Sequence, residues 1–334
     1  MLILAIESSC DDTAAAVLED DRKVLANIIS SQFDVHARYG GIVPELASRR
    51  HIEAILPVVR EALDTAGIDL EQIDCIAATQ GPGLIGSLLV GFTFAKALAL
   101  VKNIPCVGVD HMSGHLLSAF LRKPAPDFPY VSLVVSGGNS SLYRVDDRLS
   151  FHCLGRTRDD AAGEAFDKVA KLLELGYPGG PIISRLAKTG RADSISFPRA
   201  WLDNDSLDFS FSGLKTAVVN YIHKRRQQND PLPIADICAS FQEAVVDVLV
   251  EKTVSAAKNC GISTVVLGGG VASNDRLRDR MRQRCDRENL MFFVPPPVFC
   301  TDNAAMIGLA GYYSYLEGHR AAPDADVYSR SPLS

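Results

Sequence analysis

The chain contains the same arrangement of predicted elements twice. Residues 2–18 form an apolar run, a polar turn and a second apolar run, and residues 130–145 repeat this plan. Each predicted hairpin is followed later by an apolar strand that ends in a glycine-rich turn and a helix, at 75–83 in the first half and 264–274 in the second. A repeat of this kind predicts a duplicated α/β fold of two lobes with a cleft between them.

The turns of this repeat are rich in Gly, Ser and Asp. Such turns expose backbone N–H groups, and helix N-termini add a positive field, so both favour an anion. A single glycine-rich turn is equally well explained by two chain segments that pass close together. Two such turns in each half favour the interpretation that the chain binds phosphate groups.

His111 and His115 directly follow an apolar run at 104–109 that ends in a predicted turn and helix. Residues four apart share one face of a helix, so both imidazoles could meet one zinc or iron ion. An accidental pair or a pair within the core is an equally good explanation of the spacing alone. The zinc-peptidase motif places Glu after the first His as general base. Because Met112 stands there, peptidase chemistry is not expected.

Composition restricts the classes of function. The chain has 334 residues, 47% of them apolar, and a net charge of −6, whereas proteins that hold nucleic acid unaided are usually basic. Its eight cysteines include no CxxC pair, which favours reduced thiols in the cytoplasm over a disulfide framework. The first residues lack the basic and small-residue features of a signal peptide, and no membrane-spanning segment is expected.

The predicted domain boundaries follow from the repeat. We expect a first lobe at 1–110, with a C-terminal helix at 303–320 packed back on it. The second lobe is expected at 111–302 and includes a mainly helical insert at about 152–240, with helices at 159–175 and 181–188. The polar segment 321–334 is expected to be a loose tail.

A series of motifs occurs in a fixed order along the chain, at 7–11, 40–49, 81–84, 111–115, 135–138, 159–168, 177–181, 209–216, 268–274 and 301–303. With these motifs the chain resembles the tRNA N6-adenosine threonylcarbamoyltransferase family (TsaD type), formerly described as O-sialoglycoprotein endopeptidases. The resemblance extends to about residue 315. It implies the actin-like ATPase fold shared with sugar kinases. It also implies transfer of a threonylcarbamoyl group from threonylcarbamoyl-AMP to N6 of adenosine 37 in tRNAs that read ANN codons.

The resemblance also implies the roles of individual residues. The metal ligands would be His111, His115 and Asp302, and they would hold one divalent ion, with Fe²⁺ favoured and Zn²⁺ as the alternative. A substrate loop would comprise Val134, Val135, Ser136, Gly137 and Gly138. Nucleotide and substrate contacts would come from Asp167, Gly180 and Asn274. Asp11 would act near the phosphates. For the chemistry itself, backbone N–H groups of the Ser136–Gly137–Gly138 turn are suited to stabilise developing negative charge.

Several of these residues also have ordinary structural explanations. Asp302 and Asn274 precede predicted helices and could simply be N-caps. Asp167 could belong to a solvated helix face with charge pairs. Two positions depart from the family pattern: Asn139 stands where the family has His, and Asp12 stands where it has Glu. Asn139 cannot serve as a metal ligand or acid–base group in place of His.

The resemblance implies partners as well as tRNA: a paralogous actin-like protein and a small P-loop ATPase, joined in a hetero-complex. Two predicted helices, at 42–59 and 84–100, are more apolar than a solvated surface needs, and Val58 and Leu88 are expected at such an interface. Burial in the core explains their composition equally well. An RNA-facing surface is a further hypothesis, built from the arginine-rich helix at 275–284 with Arg49, Arg50, Lys224, Arg225 and Arg226. A solvated face with interleaved Asp is the alternative.

Two other functions fit the same fold. A small-molecule kinase would need a catalytic Asp and magnesium but not the histidine pair. A non-catalytic scaffold of the ATPase fold would also lack the pair. Because His111 and His115 are both present, the acyltransferase is the favoured hypothesis.

Overall fold

The computed structural model describes residues 1–202 and 206–333. Its strands are β1 (Leu2–Glu7), β2 (Asp12–Glu19), β3 (Lys23–Ser31), β4 (Cys75–Gly81), β5 (Cys106–Asp110), β6 (Tyr130–Val135), β7 (Ser140–Val145), β8 (Phe151–Arg156), β9 (Thr264–Gly268) and β10 (Met291–Phe293). Its helices are α1 (Phe33–Ala37), α2 (Pro44–Ala66), α3 (Ile85–Lys102), α4 (His111–Leu117), α5 (Ala162–Leu172), α6 (Gly179–Ala187), α7 (Ser212–Gln227), α8 (Ile234–Cys260), α9 (Asp275–Arg287), α10 (Pro297–Cys300) and α11 (Ala304–Leu316). Short 3₁₀ helices occur at Leu70–Gln72, Ser118–Leu121 and Gly270–Ser273.

The strands form two sheets of the same topology. The first has the order β3-β2-β1-β4-β5 and the second the order β10-β9-β6-β7-β8. In each sheet an antiparallel hairpin (β1–β2 or β6–β7) pairs its first strand in parallel with a later strand, β4 or β9. The predicted duplicated α/β fold is therefore confirmed at the level of strand connectivity.

The first sheet is buried on both faces. On one face, Leu4, Ile6 and Val17 pack with Ile55, Val58 and Phe92 of α2 and α3. The other face is covered by α11, whose small residues allow a close approach. A Cβ added at Gly311 would lie 2.4 Å from the Cβ of Ala77, so a larger residue there would push the helix off the sheet.

The central strands of the second sheet are buried as well. Strands β6 and β9 are buried along their whole length, and α8 packs against both. The rings of Phe166 and Phe241 meet edge to face with their centroids 5.1 Å apart, which joins α5 to α8. Edge-to-face contact is a favoured geometry for buried aromatic pairs.

The chain divides into two compact units whose limits differ from the predicted 110/111 and 302/303 boundaries. One unit comprises residues 1–126, 146–151 and 295 onward, and the other comprises 127–145 and 152–294. Residues 111–126 belong to the first unit because α4 packs tightly on α11: a Cβ at Gly114 would lie 3.0 Å from Cγ of Met306. The predicted insert at about 152–240 lies within the second unit, where β8 joins the second sheet and α8 runs unbroken past residue 240.

The expectation of a loose C-terminal tail is wrong for the described residues up to 333. Ala321 N–H donates to Cys106 O at 2.8 Å, and Lys96 Nζ donates to Ala325 O at 2.6 Å. Ala321, Ala325 and Val327 also pack against the core of the first unit. The tail is polar in composition, but its backbone N–H and carbonyl groups and its small apolar side chains make these contacts. Composition alone cannot predict such contacts.

Helix α3 is, among the described residues, the one helix that is long and apolar enough to cross a membrane by length and composition alone. In the structure it packs against β4 and α2 and buries Ser87, Leu88, Gly91, Phe92, Ala95 and Ala99. Core helices of this kind have the same length and composition, so the resemblance to a membrane span is weak evidence.

Candidate metal centre and substrate loops

His111 and His115 lie on α4, and their side chains converge on one carboxylate. Nε2 of His115 is 3.1 Å from Oδ1 of Asp302, and Nε2 of His111 is 3.5 Å from the same oxygen. One ligand atom from each of the three residues lies within 4.8 Å of the other two. All three belong to the first unit. The predicted metal ligands are thus brought together.

The alternative explanation of Asp302 as a helix cap is excluded by the hydrogen bonds. Helix α11 begins at Ala304, and its cap is Asn303, whose Oδ1 accepts from Met306 N–H at 3.0 Å. Asp302 stands one residue earlier. Its carboxylate therefore faces the imidazoles rather than the end of the helix.

Glu7, at the end of β1, fixes the orientation of His111. Its Oε2 lies 2.9 Å from Nδ1 of His111 and accepts from Thr79 Oγ1 at 2.6 Å. A carboxylate at Nδ1 keeps a proton on this nitrogen, so Nε2 is the atom that a metal would bind. Sequence reasoning assigned no role to Glu7. The available signal was a carboxylate directly after a fully apolar strand, where an unpaired charge would be costly.

The charges at this site favour a cation. Burial lowers the pKa of His111, but the carboxylates of Glu7 and Asp302 outweigh burial and raise that pKa well above its usual value. Burial raises the pKa of Asp302, but the imidazoles of His111 and His115 hold it well below its usual range. Two nitrogen donors, one oxygen donor and a surplus of carboxylate charge suit a divalent transition metal such as iron or zinc.

Asp11 and Asp12, in the first hairpin, lie within the field of the same carboxylates. Burial, together with the charge of Asp302, raises the pKa of Asp11. The turn is held by His51 of α2, whose Nε2 lies 3.0 Å from Cys10 O and whose Nδ1 lies 2.7 Å from Thr13 Oγ1. The predicted site residue Asp11 therefore sits on a rigid turn.

Asp12 yields a testable consequence for stability. Burial raises its pKa to about 7, and the charges of Asp302, Asp11 and Glu7 contribute. An Asp in the unfolded chain titrates near pH 3.9, so between about pH 4 and 7 the folded state binds the extra proton and the free energy of unfolding falls as pH rises. Between pH 5 and 8, the free energy of unfolding should therefore fall by roughly 1–3 kcal/mol less in metal-free Asp12→Asn than in the metal-free wild type.

Urea unfolding at both pH values, in the presence of a chelator, measures this difference. Asp64→Asn, which removes an exposed carboxylate from the end of α2, serves as control and should keep the wild-type pH dependence. Identical pH dependence in Asp12→Asn and the wild type would contradict the assignment.

In the second unit, the predicted substrate loop follows β6 as a tight turn. The N–H of Ser136 donates to Asn139 O at 2.8 Å, which closes the turn. This N–H is therefore already used, and the donors left to stabilise a negative charge are those of Gly137 and Gly138. A Cβ added at either glycine would meet nothing within 4 Å, so the turn borders open space.

Other glycines near this turn are required for close packing. A Cβ at Gly163, at the start of α5, would lie 2.5 Å from Ser136 O, and one at Gly269 would lie 2.4 Å from Val135 O. Gly269 also has a positive φ of 85°. Close passage of chain segments thus explains these two glycines, whereas it does not explain Gly137 and Gly138.

Asp167 holds the start of α6, where Gly180 follows Gly179. Oδ1 of Asp167 accepts from Gly179 N–H at 2.7 Å, so the carboxylate holds the helix N-terminus. Neighbouring Lys168 pairs with Asp160 and Glu164. A Cβ at Gly180 would meet nothing within 4 Å, which leaves this helix start open.

Asn274 is the N-cap of α9. Its Oδ1 accepts from Leu277 N–H at 3.1 Å, and its Nδ2 donates to Gln242 Oε1 at 2.8 Å. The capping explanation is therefore correct for this side chain. Its predicted contact with nucleotide is not tested by these bonds.

The arginine-rich helix α9 is less basic than its sequence suggests. Arg276 pairs with Glu243, Arg280 with Asp247, and Arg284 with Glu251, all acids of α8. On the first unit, Arg49 and Arg50 pair with Glu45 and Glu53. Ion pairs of this kind leave less charge for phosphate groups than the hypothesis of an RNA-facing surface assumed.

Solved structures with a similar fold define the class. The activator of 2-hydroxyisocaproyl-CoA dehydratase from Clostridium difficile, solved with bound ADPNP, superposes with a TM-score of 0.54 at 16% identity and covers 95% of this chain and 96% of its own. HypF from T. kodakarensis gives a TM-score of 0.61 at 16% identity, over 95% of this chain and 48% of HypF. This is the actin-like ATPase fold, here carrying a candidate centre of two histidines and one aspartate.

Sequence comparisons then identify the family. The family model described as TsaD, tRNA N6-adenosine threonylcarbamoyltransferase, matches residues 23–309. The tRNA N6-adenosine threonylcarbamoyltransferase of Desulfotalea psychrophila is 60% identical over 336 residues, with 100% of this chain and 98% of the relative covered. That of Syntrophus aciditrophicus is 52% identical over 333 residues, with the same coverage. The chain belongs to the tRNA N6-adenosine threonylcarbamoyltransferase family, as its motifs indicated.

Proposed function

We propose that this protein transfers the threonylcarbamoyl group of threonylcarbamoyl-AMP to N6 of adenosine 37 in tRNAs that read ANN codons. The observation that carries this proposal is the convergence of His111, His115 and Asp302 in a chain that matches a named member of the family over 98% of that relative's length. A small-molecule kinase of the same fold would not need two imidazoles on one carboxylate.

His111, His115 and Asp302 would hold one divalent metal, Fe²⁺ by resemblance to the family and Zn²⁺ as the alternative. Three protein ligands leave open coordination positions, as catalytic metal sites require. A metal bound there supplies Lewis acidity toward substrate oxygens. Glu7 keeps the Nδ1 proton of His111 in place and so presents Nε2.

The loops of the second unit would hold the nucleotide part of the substrate. The N–H groups of Gly137 and Gly138 are suited to stabilise negative charge, as in an oxyanion hole. The α6 N-terminus at Gly180, fixed by Asp167, offers N–H groups and a helix dipole to phosphate. Val134 and Val135 support the turn, and Asn274 caps α9, the helix that follows the glycine-rich turn at 264–274.

Asp11 is the candidate to take up the proton that N6 of adenine loses when it is acylated. Its raised pKa makes it a better proton acceptor than an exposed carboxylate. His51 and the hairpin restrict the motion of this turn, which favours a fixed position for the carboxylate.

We further propose that the protein acts in a hetero-complex with a paralogous actin-like protein and a small P-loop ATPase. An apolar strip, defined as Ile52 and Leu56 of α2 with Ile85 and Leu89 of α3, is 43–65% exposed. The two helices are neighbours, since a Cβ at Gly86 would touch Ser48. Exposed apolar surface of this kind commonly marks a protein interface. The net charge of −6 and the paired arginines of α9 also favour tRNA binding by an assembly.

The reaction belongs in the cytoplasm, where its tRNA substrate is. None of the eight cysteines forms a disulfide, and five of them are buried in the fold, which suits a reducing compartment.

Incubation with threonylcarbamoyl-AMP and an unmodified ANN-decoding tRNA, with and without the partner proteins, tests the proposal. Mass spectrometry of nucleosides from the tRNA should show threonylcarbamoyl-adenosine. A transcript with guanosine at position 37 is the matched control and should stay unmodified. ATP-dependent phosphorylation of a small molecule, without any change to the tRNA, would instead establish the kinase.

A prediction about Asn139 follows from the closed turn. Its backbone carbonyl accepts from Ser136 N–H, and any residue can provide that bond. We expect Asn139→Ala to retain nearly full turnover and Asn139→His to be tolerated. Steady-state rates of tRNA modification would show this. A large loss in Asn139→Ala at unchanged metal content would mean that the amide contacts substrate.

A further inference from the structure

The carboxylate of Asp110 is the point at which the C-terminal segment reaches helix α4. Its Oδ1 accepts from Met112 N–H at 2.9 Å and from Ser113 N–H at 3.4 Å, which makes Asp110 the N-cap of α4. Its Oδ2 accepts from Tyr328 Oη at 3.0 Å and from Ser331 Oγ at 2.8 Å. One carboxylate thus joins the first turn of the helix to residues more than two hundred positions later in the chain.

The segment that carries Tyr328 and Ser331 is itself tied to the first sheet. Tyr328 N–H donates to Gln80 O at 3.1 Å, and Gln80 Nε2 donates back to Asp326 O at 2.7 Å. Gly81 lies directly beneath the segment, because a Cβ there would come within 2.2 Å of Tyr328 O. These contacts hold Tyr328 in position next to the carboxyl ends of β4 and β5.

Helix α4 depends on such support. It has seven residues, and isolated helices of that length are unstable in water. It also carries both imidazoles of the candidate metal centre, with His111 in the first turn directly after Asp110. A cap carboxylate that can rotate would loosen this turn, whereas two hydroxyl donors on Oδ2 hold the carboxylate in a single orientation.

We propose that the C-terminal segment 321–331 is a positioning element of the metal centre: Tyr328 and Ser331 hold Asp110, and Asp110 holds the turn that presents His111 and His115. This role rests on the metal centre proposed above. Its structural part can be measured in the absence of metal, so the two can be tested separately.

The test uses the full chain with Tyr328→Phe and Ser331→Ala combined, which removes both hydroxyl donors and little volume. We expect Zn²⁺ affinity, measured by competition with a chromophoric chelator, to fall about tenfold, within the range known for residues that support metal ligands. In metal-free protein, the amides of Met112 and Ser113 should exchange hydrogen faster than in the wild type. Ser331→Thr, which keeps its hydroxyl, should bind Zn²⁺ as the wild type does.

Tyr313→Phe is the matched control. It removes another tyrosine hydroxyl from an aspartate of the same unit, since Tyr313 Oη donates to Asp21 Oδ2 at 3.1 Å, and it should leave Zn²⁺ affinity and α4 exchange unchanged. Unaltered Zn²⁺ affinity in the folded double variant would overturn the inference, as would weaker affinity with unchanged exchange in α4. If the wild type binds no Zn²⁺ or Fe²⁺, the proposed metal centre fails, and the exchange rates alone decide whether the segment holds α4.

Discussion

Replacing His111 with alanine is expected to leave a folded protein that has lost its bound metal and most of its transferase activity. The substitution removes one of three ligands and also the group that links Glu7 to Asp302. Loss of a direct ligand should weaken metal binding by more than the roughly 10–100-fold that follows loss of a supporting residue. Elemental analysis of the purified variant and the rate of tRNA modification measure the two effects.

If His111→Ala is unstable, His115→Ala still tests the assignment of the metal ligands. His111→Ala leaves the buried carboxylate of Glu7 without its partner, which is costly for folding. His115→Ala removes a ligand but leaves the contact between Glu7 and His111 in place, and it should lose metal in the same way. His319→Ala, an exposed histidine of the same unit, should keep full metal content. Undiminished metal in folded His111→Ala and His115→Ala would refute the assignment of these ligands.

Replacing Leu89 with aspartate is expected to abolish assembly with the actin-like partner and, with it, firm binding of tRNA. Leu89 lies in the apolar strip and is 43% exposed, so a charge there should leave the monomer folded while it opposes burial against a partner. Leu100→Asp is the matched control, because Leu100 is on the same helix and 79% exposed but lies outside the strip. Co-purification and salt-dependent tRNA binding at physiological salt measure the outcome.

The sequence had suggested Val58 and Leu88 for this interface, and the structure corrects that choice. Val58 is 5% exposed and Leu88 is fully buried, so aspartate at either position would damage the core rather than the interface. Two results would contradict the proposed assembly. One is a Leu89→Asp variant that still co-purifies with the partner, and the other is an isolated chain that binds tRNA as tightly as the complex does.

The repeat and the histidine spacing were visible in the sequence because both depend on local pattern. Apolar runs joined by polar turns predict hairpins, and a separation of four predicts a shared helix face. The repeated strand pattern and the placement of His111 and His115 on α4 therefore followed directly. The meeting of these histidines with Asp302, far away in the chain, depended on the family resemblance.

The supporting residues could not be predicted in the same way. Glu7 contacts His111, and Asp110 contacts Tyr328; in each pair the two residues are distant in sequence. No spacing rule connects the two members of either pair. Asp302 and Asn303 are adjacent and both suited to cap a helix, and only the hydrogen bond to Met306 distinguishes them. The arginines of α9 appeared free because their acidic partners lie on another helix, α8.

Reconstitution of metal-free protein with increasing Fe²⁺ or Zn²⁺ tests the central claim most directly, with threonylcarbamoyl-AMP, ANN-decoding tRNA and the partner proteins present throughout. We predict that the rate of adenosine 37 modification rises in proportion to bound metal, reaches a plateau at about one ion per chain, and does not recover in His115→Ala, as expected for a single site with three protein ligands. Full activity in the metal-free protein, or the same metal response in His115→Ala, would contradict the account.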